Sequence, residues 1–346
     1  MTASAASFRF WSAPDPAGRC CEAPLSLLKA LRPDPYILAL LAVVILASLA
    51  PARGLAGDLL STVTKSVVAL LFFLHGAKLP REAVIAGLTH WRLHLAVLAV
   101  SFLLFPLLGL AAGLAAPTLL SPHLAAGLLF LCCLPSTVQS SIAFTALARG
   151  SVAAAVCAAS ASNLVGMAAT PLLVAGLMHG QGAGPGFDAV QSIFLQLLAP
   201  FAAGQLARPL IGAWLERHKP LVGLVDRGSI LLVVYSAFSA AVIGGVWLRV
   251  SPGDLAMVFL LCAVLLAAIL AITSWLGRAM GLAVPDRIVL LFCGSKKSLV
   301  TGAPMAAILF TPAAAGVMIV PLMIFHQLQL IACAVLARRY ADRTSD

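Results

Sequence analysis

Long apolar runs constrain this chain more than any other feature. Ten windows bounded by charges, Pro and Gly fall roughly at 36–51, 59–77, 93–115, 123–147, 152–178, 190–207, 228–248, 255–276, 287–310 and 313–337. Each is about the length an α-helix needs to cross a hydrocarbon core of ~30 Å. The runs are unbroken, without the alternating polarity a membrane β-barrel requires. Of the 346 residues, 62% are hydrophobic and 10% charged, against about 45–50% and about 25% in soluble domains. A soluble enzyme is excluded, and the fold class is an all-α polytopic membrane protein.

Charge orients the spans. There are 22 Lys+Arg against 12 Asp+Glu, a net +10; with no basic-aromatic patch, the excess belongs to loops on the cytoplasmic side and not to nucleic acid. If the first span starts inside, 17 of the 22 cations face the cytoplasm, only Arg53, Lys65 and Arg249 lie opposite, and Lys296 and Lys297 lie within the ninth span. The expected location is therefore the cell inner membrane, multi-pass, with both termini cytoplasmic. Residues 1–33 lack the apolar core of a signal peptide and read as a cytoplasmic tail. Residues 34–180 and 187–338 hold five spans each, and 339–346 form a short C-terminal tail. The eight cysteines have neither metal spacing nor a disulfide framework, and read as small buried hydrophobes.

Five spans repeated must insert the second time in the opposite sense. The sixth window starts 154 residues after the first, and Ser295 lies 158 residues after Thr137, so the polar interruptions of the fourth and ninth spans occupy corresponding places in the two halves. Paired breaks of this kind point to an inverted-repeat transporter with its site near the bilayer midplane. The first break contains Pro135, Ser136, Thr137, Gln139, Ser140 and Ser141; the second contains Gly294, Ser295, Lys296, Lys297 and Ser298. Pro135 and Gly294 are the expected structural breaks, and the polar residues are the expected substrate or ion ligands. Half-helix N-termini there favour anions and C-terminal carbonyls favour cations.

Apart from Lys65 toward the outer end of the second window and Arg287 at the edge of the ninth, Lys296 and Lys297 are the only charges inside any window, and every acid falls in tails, loops or window ends. An intramembrane ammonium marks a functional site by default, with snorkelling as the bland alternative. Ser160, Ser162 and Asn163 add polarity to the fifth span, where interhelical hydrogen bonding without ligand contact is as good an account as a site role. His326, Gln327, Ser101, Gln191, Gln196 and Gln205 read as structurally satisfied.

The run from Cys132 through Pro135-Ser136-Thr137-Val138-Gln139-Ser140-Ser141 to Ala148-Arg149-Gly150, followed by Ser160-Ala161-Ser162-Asn163, resembles the bile acid:sodium symporter family. The motif Phe292-Cys293-Gly294-Ser295-Lys296-Lys297-Ser298, with His75-Gly76-Ala77-Lys78 and His90-Trp91-Arg92-Leu93-His94-Leu95, is similar to its bacterial sodium-dependent transporter-like (SBF-like) branch. The resemblance covers about residues 33 to 338. It implies ten transmembrane helices in two inverted five-helix repeats, with broken helices 4 and 9 crossing in a core domain beside a panel domain, and Na⁺-driven uptake of an organic anion.

The departures are specific. The Ser-Asn pair of relatives falls on Ser141 and Ile142, or on Ser140 and Ser141; the fifth-helix hydroxyls fall near Ala155 and Ala159; the third-helix Gln falls on Ser101; and the carboxylate region holds Lys296 and Lys297. Neither sodium site carries over, and an ammonium in place of a carboxylate turns attraction for Na⁺ into repulsion. One lysine is expected as a tethered cation held by Gln139, Ser140, Ser141 and Asn163, with a proton as the alternative coupling ion; pairing of a lysine with an anionic substrate is the second possibility. Two other classes stand beside the transporter: a non-transporting membrane regulator or receptor of the same fold, and a membrane hydrolase using Ser295 and Lys296 as a Ser-Lys dyad.

Overall fold

Every element among the described residues is helical. The computed structural model describes residues 35–78, 90–115, 120–178, 187–245 and 250–342. Everything around the helix breaks belongs to one compact unit that begins at Leu40. The expected tail 1–33 lies outside the described residues.

In chain order the helices are α1 (Pro35–Leu49), α2 (Leu55–Lys78), α3 (91–115), α4a (Pro122–Cys133), α4b (Gln139–Leu147), α5 (Val152–Met178), α6 (Phe187–Arg217), α7 (Lys219–Ile243), α8 (Pro252–Ala279), α9a (Val284–Gly294), α9b (Leu299–Leu309) and α10 (Pro312–Ala341). Six stretches among the described residues are long and apolar enough to cross a membrane: Leu55–Lys78, Trp91–Gly113, Val152–Met178, Lys219–Ile243, Pro252–Ala279 and Pro312–Ala341. Several starts are written locally. Pro122, Pro252, Pro285 and Pro312 sit in first turns, where no N–H is needed. Ser251 adds a capping box to α8, its hydroxyl accepting from Asp254 N–H at 3.0 Å while Asp254 Oδ2 accepts from Ser251 N–H at 2.9 Å.

Two boundaries differ most from the hydropathy windows. Helix α6 runs ten residues past 207, through Arg208 and Pro209 to Arg217, and α7 begins at Lys219 in place of 228. A hydropathy window ends at the first charge, but backbone hydrogen bonding continues into water, and His218 alone joins the two helices, its ring stacked on Trp214 at 4.4 Å. Helix α10 likewise continues through Arg338 and Arg339 to Ala341, into the expected C-terminal tail.

One consequence corrects the placement of the acids. Asp226 is not in a loop; it lies two turns into α7, is 8% exposed, and pairs with Lys78 of α2. Helix α2 also crosses α6 with backbones in contact. A Cβ on Gly76 would stand 2.0 Å from Phe201 O, and one on Gly204 would stand 1.9 Å from Phe73 O, so both positions require glycine. An apolar cluster of Leu74, Ala77, Leu215 and Val222 seals this three-helix contact.

Helix α3 is interrupted by a π-turn at Val100–Leu104, where Phe105 N–H donates to Val100 O. In that register Ser101 O would accept from residue 106, which is a proline without an N–H. The Ser101 carbonyl is thus left free to take another donor.

Candidate functional site

The first break separates α4a from α4b. Pro135 has no N–H to give Leu131, and it holds Leu134 in extended backbone (φ −80°, ψ 155°). A helix cut in lipid strands the carbonyls of its last turn, and each must find a donor inside the protein. Each does. Cys132 O and Leu134 O accept from Lys297 Nζ at 2.9 and 2.6 Å, and Cys133 O accepts from Thr170 Oγ1 at 2.8 Å. Pro135 O accepts from Ser298 N–H at 2.9 Å and Ser136 O from Asn163 Nδ2 at 2.8 Å. Ser136 N–H donates to Ser162 Oγ at 3.0 Å.

The second break separates α9a from α9b, and the two breaks touch through that Ser298–Pro135 bond. Gln329 of α10 acts as a surrogate strand for the exposed peptide: Lys297 N–H donates to Gln329 Oε1 at 2.8 Å, and Gln329 Nε2 donates to Lys297 O at 2.9 Å. The Gln329 amide is held in turn by His326 Nδ1 at 2.9 Å. Ser298 caps α9b, its Oγ accepting from Thr301 N–H at 3.1 Å. The Ser298 hydroxyl donates to Thr301 Oγ1, which donates to Asn163 Oδ1, both at 3.0 Å. Asn163, also bonded to Ala159 O at 3.1 Å, therefore ties α5 to both breaks.

Lys297 is fully buried, and its ammonium spends all three protons on backbone carbonyls: Ser101 O at 2.8 Å, Cys132 O and Leu134 O. The Phe105 ring lies 4.0 Å away. These acceptors are the negative end of α4a and the carbonyl released by Pro106, a site of the kind that favours a cation. Lys296, equally buried, has no hydrogen-bond partner among the described residues; its ammonium sits over the Phe144 ring at 3.9 Å, with Phe292 at 5.8 Å.

The expected cage is thereby corrected. Lys297 is held by backbone, and not by Gln139, Ser140, Ser141 or Asn163, because the carbonyls freed by two prolines are nearer and carry the sign an ammonium needs. Thr137 instead binds Ser140 at 2.9 Å and Ser141 at 3.0 Å, and Ser141 donates to Phe292 O at 3.1 Å, closing an orphan carbonyl of α9a. Gln139 is exposed at the start of α4b, and Ser160 is bonded to neither break. The Ser295 hydroxyl donates to Leu291 O at 2.5 Å while the Lys296 ammonium faces Phe144, so the two do not form a nucleophile and base.

Three partners escaped the sequence reading: Thr170, Thr301 and Gln329. Thr170 lies seven residues after Asn163 and Thr301 three after the Ser298 cap, both same-face spacings. Gln329, and not Gln327, shares the His326 face at i+3. Among the described residues no group of three His, Cys, Asp or Glu is placed to hold a metal.

Two discontinuous helices meeting within apolar helices long enough to span a bilayer define a multi-pass membrane protein of the broken-helix transporter class. The chain belongs to the SBF-like CPA transporter family, whose model matches residues 34–342. It is 56% identical over 315 residues to an uncharacterised Pseudomonas aeruginosa protein (91% of this chain, 95% of that one). It is 51% identical over 311 residues to the Escherichia coli protein named "Putative symporter YfeH" (90% and 94%). Sodium/bile acid cotransporter 7 of Mus musculus is 28% identical over 319 residues (90% and 94%). This is a transporter family, not an enzyme family.

Proposed function

We propose that the chain is a secondary transporter of a small organic anion in which Lys297 stands permanently in the place of a coupling cation. The observation that carries this reading is the set of three carbonyls around its ammonium. Carbonyls of a broken helix attract Na⁺ in transporters of this architecture, and here a tethered cation already uses them. A Na⁺ ion would have to expel the lysine or lie beside it. Transport is thus independent of Na⁺ at this position, and Lys296, attended only by aromatic faces, is the charge that answers the anion.

The ten helices among the described residues, two of them broken at corresponding places, support two inverted five-helix repeats. The contact of α2, α6 and α7 beside the group around the breaks supports a panel and a core that move against each other in alternating access. The basic loops support an inner membrane with both termini cytoplasmic. A non-transporting receptor is the second reading, and one observation favours it: the carbonyls stranded at the end of α4a, from Cys132 to Ser136, are already satisfied from within the protein.

The test uses purified protein in liposomes with a labelled bile acid as the anion probe, since the cotransporter relatives are named for that substrate. Thermal stability and uptake are compared in NaCl and choline chloride at matched ionic strength. The expected result is uptake without a saturable Na⁺ effect on either quantity. A saturable Na⁺ shift in the wild type overturns the tethered-cation reading. Absence of flux across a panel of organic anions, with binding retained, favours the receptor.

A further inference from the structure

We infer that the protein carries a binding site for the phosphate of an anionic glycerophospholipid at the basic end of the molecule, away from the helix breaks. A cavity of about 240 Å³ opens there between the end of α8, the start of α9a and the end of α10, lined by Ser274, Arg278, Val284, Arg287 and Tyr340. Two arginines and Ser274 line it beside the Tyr340 ring, and no carboxylate lines it among the described residues.

The site is built, not incidental. Helix α8 ends at Gly281 in left-handed backbone (φ +64°), with Gly281 N–H donating to Arg278 O and Leu282 N–H to Gly277 O. That turn presents Leu282 O to Arg287 Nε at 2.6 Å, which fixes the guanidinium plane and leaves its two Nη groups for another acceptor. Gly277 lets the Arg287 stem lie across α8, since a Cβ there would stand 3.2 Å from Arg287 Cγ. Arg278 has no hydrogen-bond or carboxylate partner among the described residues. The nearby acid, Asp286, turns the other way, its carboxylate 3.9 Å from His90. Arg338 and Arg339 end α10 at the same side, and the Arg149 loop joins it through Ser151 N–H to Pro285 O at 3.3 Å.

One guanidinium fork fixed by Leu282 O, a second beside it without a partner among the described residues, and the Ser274 hydroxyl match a phosphate. The surroundings select a lipid over a free anion. Trp275, next to Ser274, is 64% exposed, and Val284 in the cavity wall is 51% exposed, so an apolar skin continues from the cavity along the face that lipid chains cover. An indole at the membrane–water interface sits at headgroup level, and basic pockets between helices on the cytoplasmic side suit such headgroups.

The test uses the full-length protein in an uncharged detergent, titrated with phosphatidylglycerol, phosphatidylcholine or sodium phosphate at constant ionic strength, read by thermal unfolding and by the mass of retained lipid. Phosphatidylglycerol is expected to stabilise saturably and the other two not to. Arg278→Gln, which breaks no bond in the fold, should raise the half-saturating lipid concentration about fivefold, the usual weight of one cation near an anionic surface. Arg53→Gln at the opposite end should change nothing. Equal stabilisation by phosphatidylcholine, an unaltered Arg278→Gln titration, or an equal effect of Arg53→Gln overturns the site; equal stabilisation by sodium phosphate overturns its assignment to a lipid.

Discussion

Lys297→Met and Lys297→Ala should rank opposite to the rule for buried side chains. Truncating a buried chain to alanine ordinarily costs more than a volume-conserving change, because it leaves a cavity. Here the side chain holds three carbonyls that have no other donor. Methionine fills the space and leaves Ser101 O, Cys132 O and Leu134 O buried and unpaired, at about 1–3 kcal/mol each, or roughly 3–9 kcal/mol together. Part of this is offset by the several kcal/mol that an ammonium loses on leaving water. Alanine opens a polar space among three acceptors, in which a water or a small cation restores the bonds. The expected order of unfolding midpoints in detergent is therefore wild type, then Lys297→Ala, then Lys297→Met. Lys297→Ala alone should gain a saturable stabilisation by NaCl over choline chloride. A Lys297→Met variant as stable as Lys297→Ala, in the absence of any NaCl gain, would refute the carbonyl cage as what holds this residue.

Asn163→Leu strands Ser136 O and the Thr301 hydroxyl, and should lower stability by about 1–3 kcal/mol per group left unpaired, measured as a shift in the denaturation midpoint. Gln329→Leu removes both partners of the Lys297 peptide and should destabilise by a similar amount, whereas Gln327→Leu should stay within about 0.5 kcal/mol of wild type; equal effects would show that the face of α10 is misassigned. Gly204→Ala should prevent accumulation of folded protein, because its Cβ has 1.9 Å to Phe73 O. Gly228→Ala in α7 meets nothing within 4 Å and should raise stability by up to about 1 kcal/mol through helix propensity.

The membrane class, the two breaks and the two lysines are legible in the sequence because each is a departure from local composition: a charge or a Ser-rich run stands out in an apolar window. The cage around Lys297 is not legible in that way. Its ligands are backbone oxygens, which every residue possesses, and they become available only where a proline fails to donate. Pro135 carries that signal in the fourth helix. Pro106, five residues after Ser101, carries it in the third, but only for a reader who anticipates the π-register. Asp226 was missed for a different reason: a charge at the edge of a hydropathy window looks like a loop, although its helix had begun two turns earlier. Gln329 and Gln327 differ by two residues and therefore by most of a half-turn, and only packing decides which one faces the break.

The two neighbouring lysines set stability and function against each other. Lys297 is compensated by three carbonyls, whereas among the described residues Lys296 has only the ring faces of Phe144 and, farther off, Phe292, a contact worth roughly 2 kcal/mol in a desolvated setting. The effective penalty for burying an ion is several kcal/mol, so Lys296 destabilises the state in which it is observed. Lys296→Met keeps the length of the chain, removes the charge and retains a sulfur–aromatic contact of about 0.3–1.5 kcal/mol. It should therefore unfold at a higher temperature than the wild type, where Lys297→Met unfolds lower. A residue kept at a loss of stability is kept for what it binds, and with Lys297 already cationic a second ammonium suits an anion and repels a cation. Lys296→Met should accordingly lose anion uptake in liposomes while gaining stability. A variant that is more stable and transports at the wild-type rate would remove Lys296 from the substrate site, and one that is less stable would mean that its ammonium has partners beyond the two phenylalanine rings.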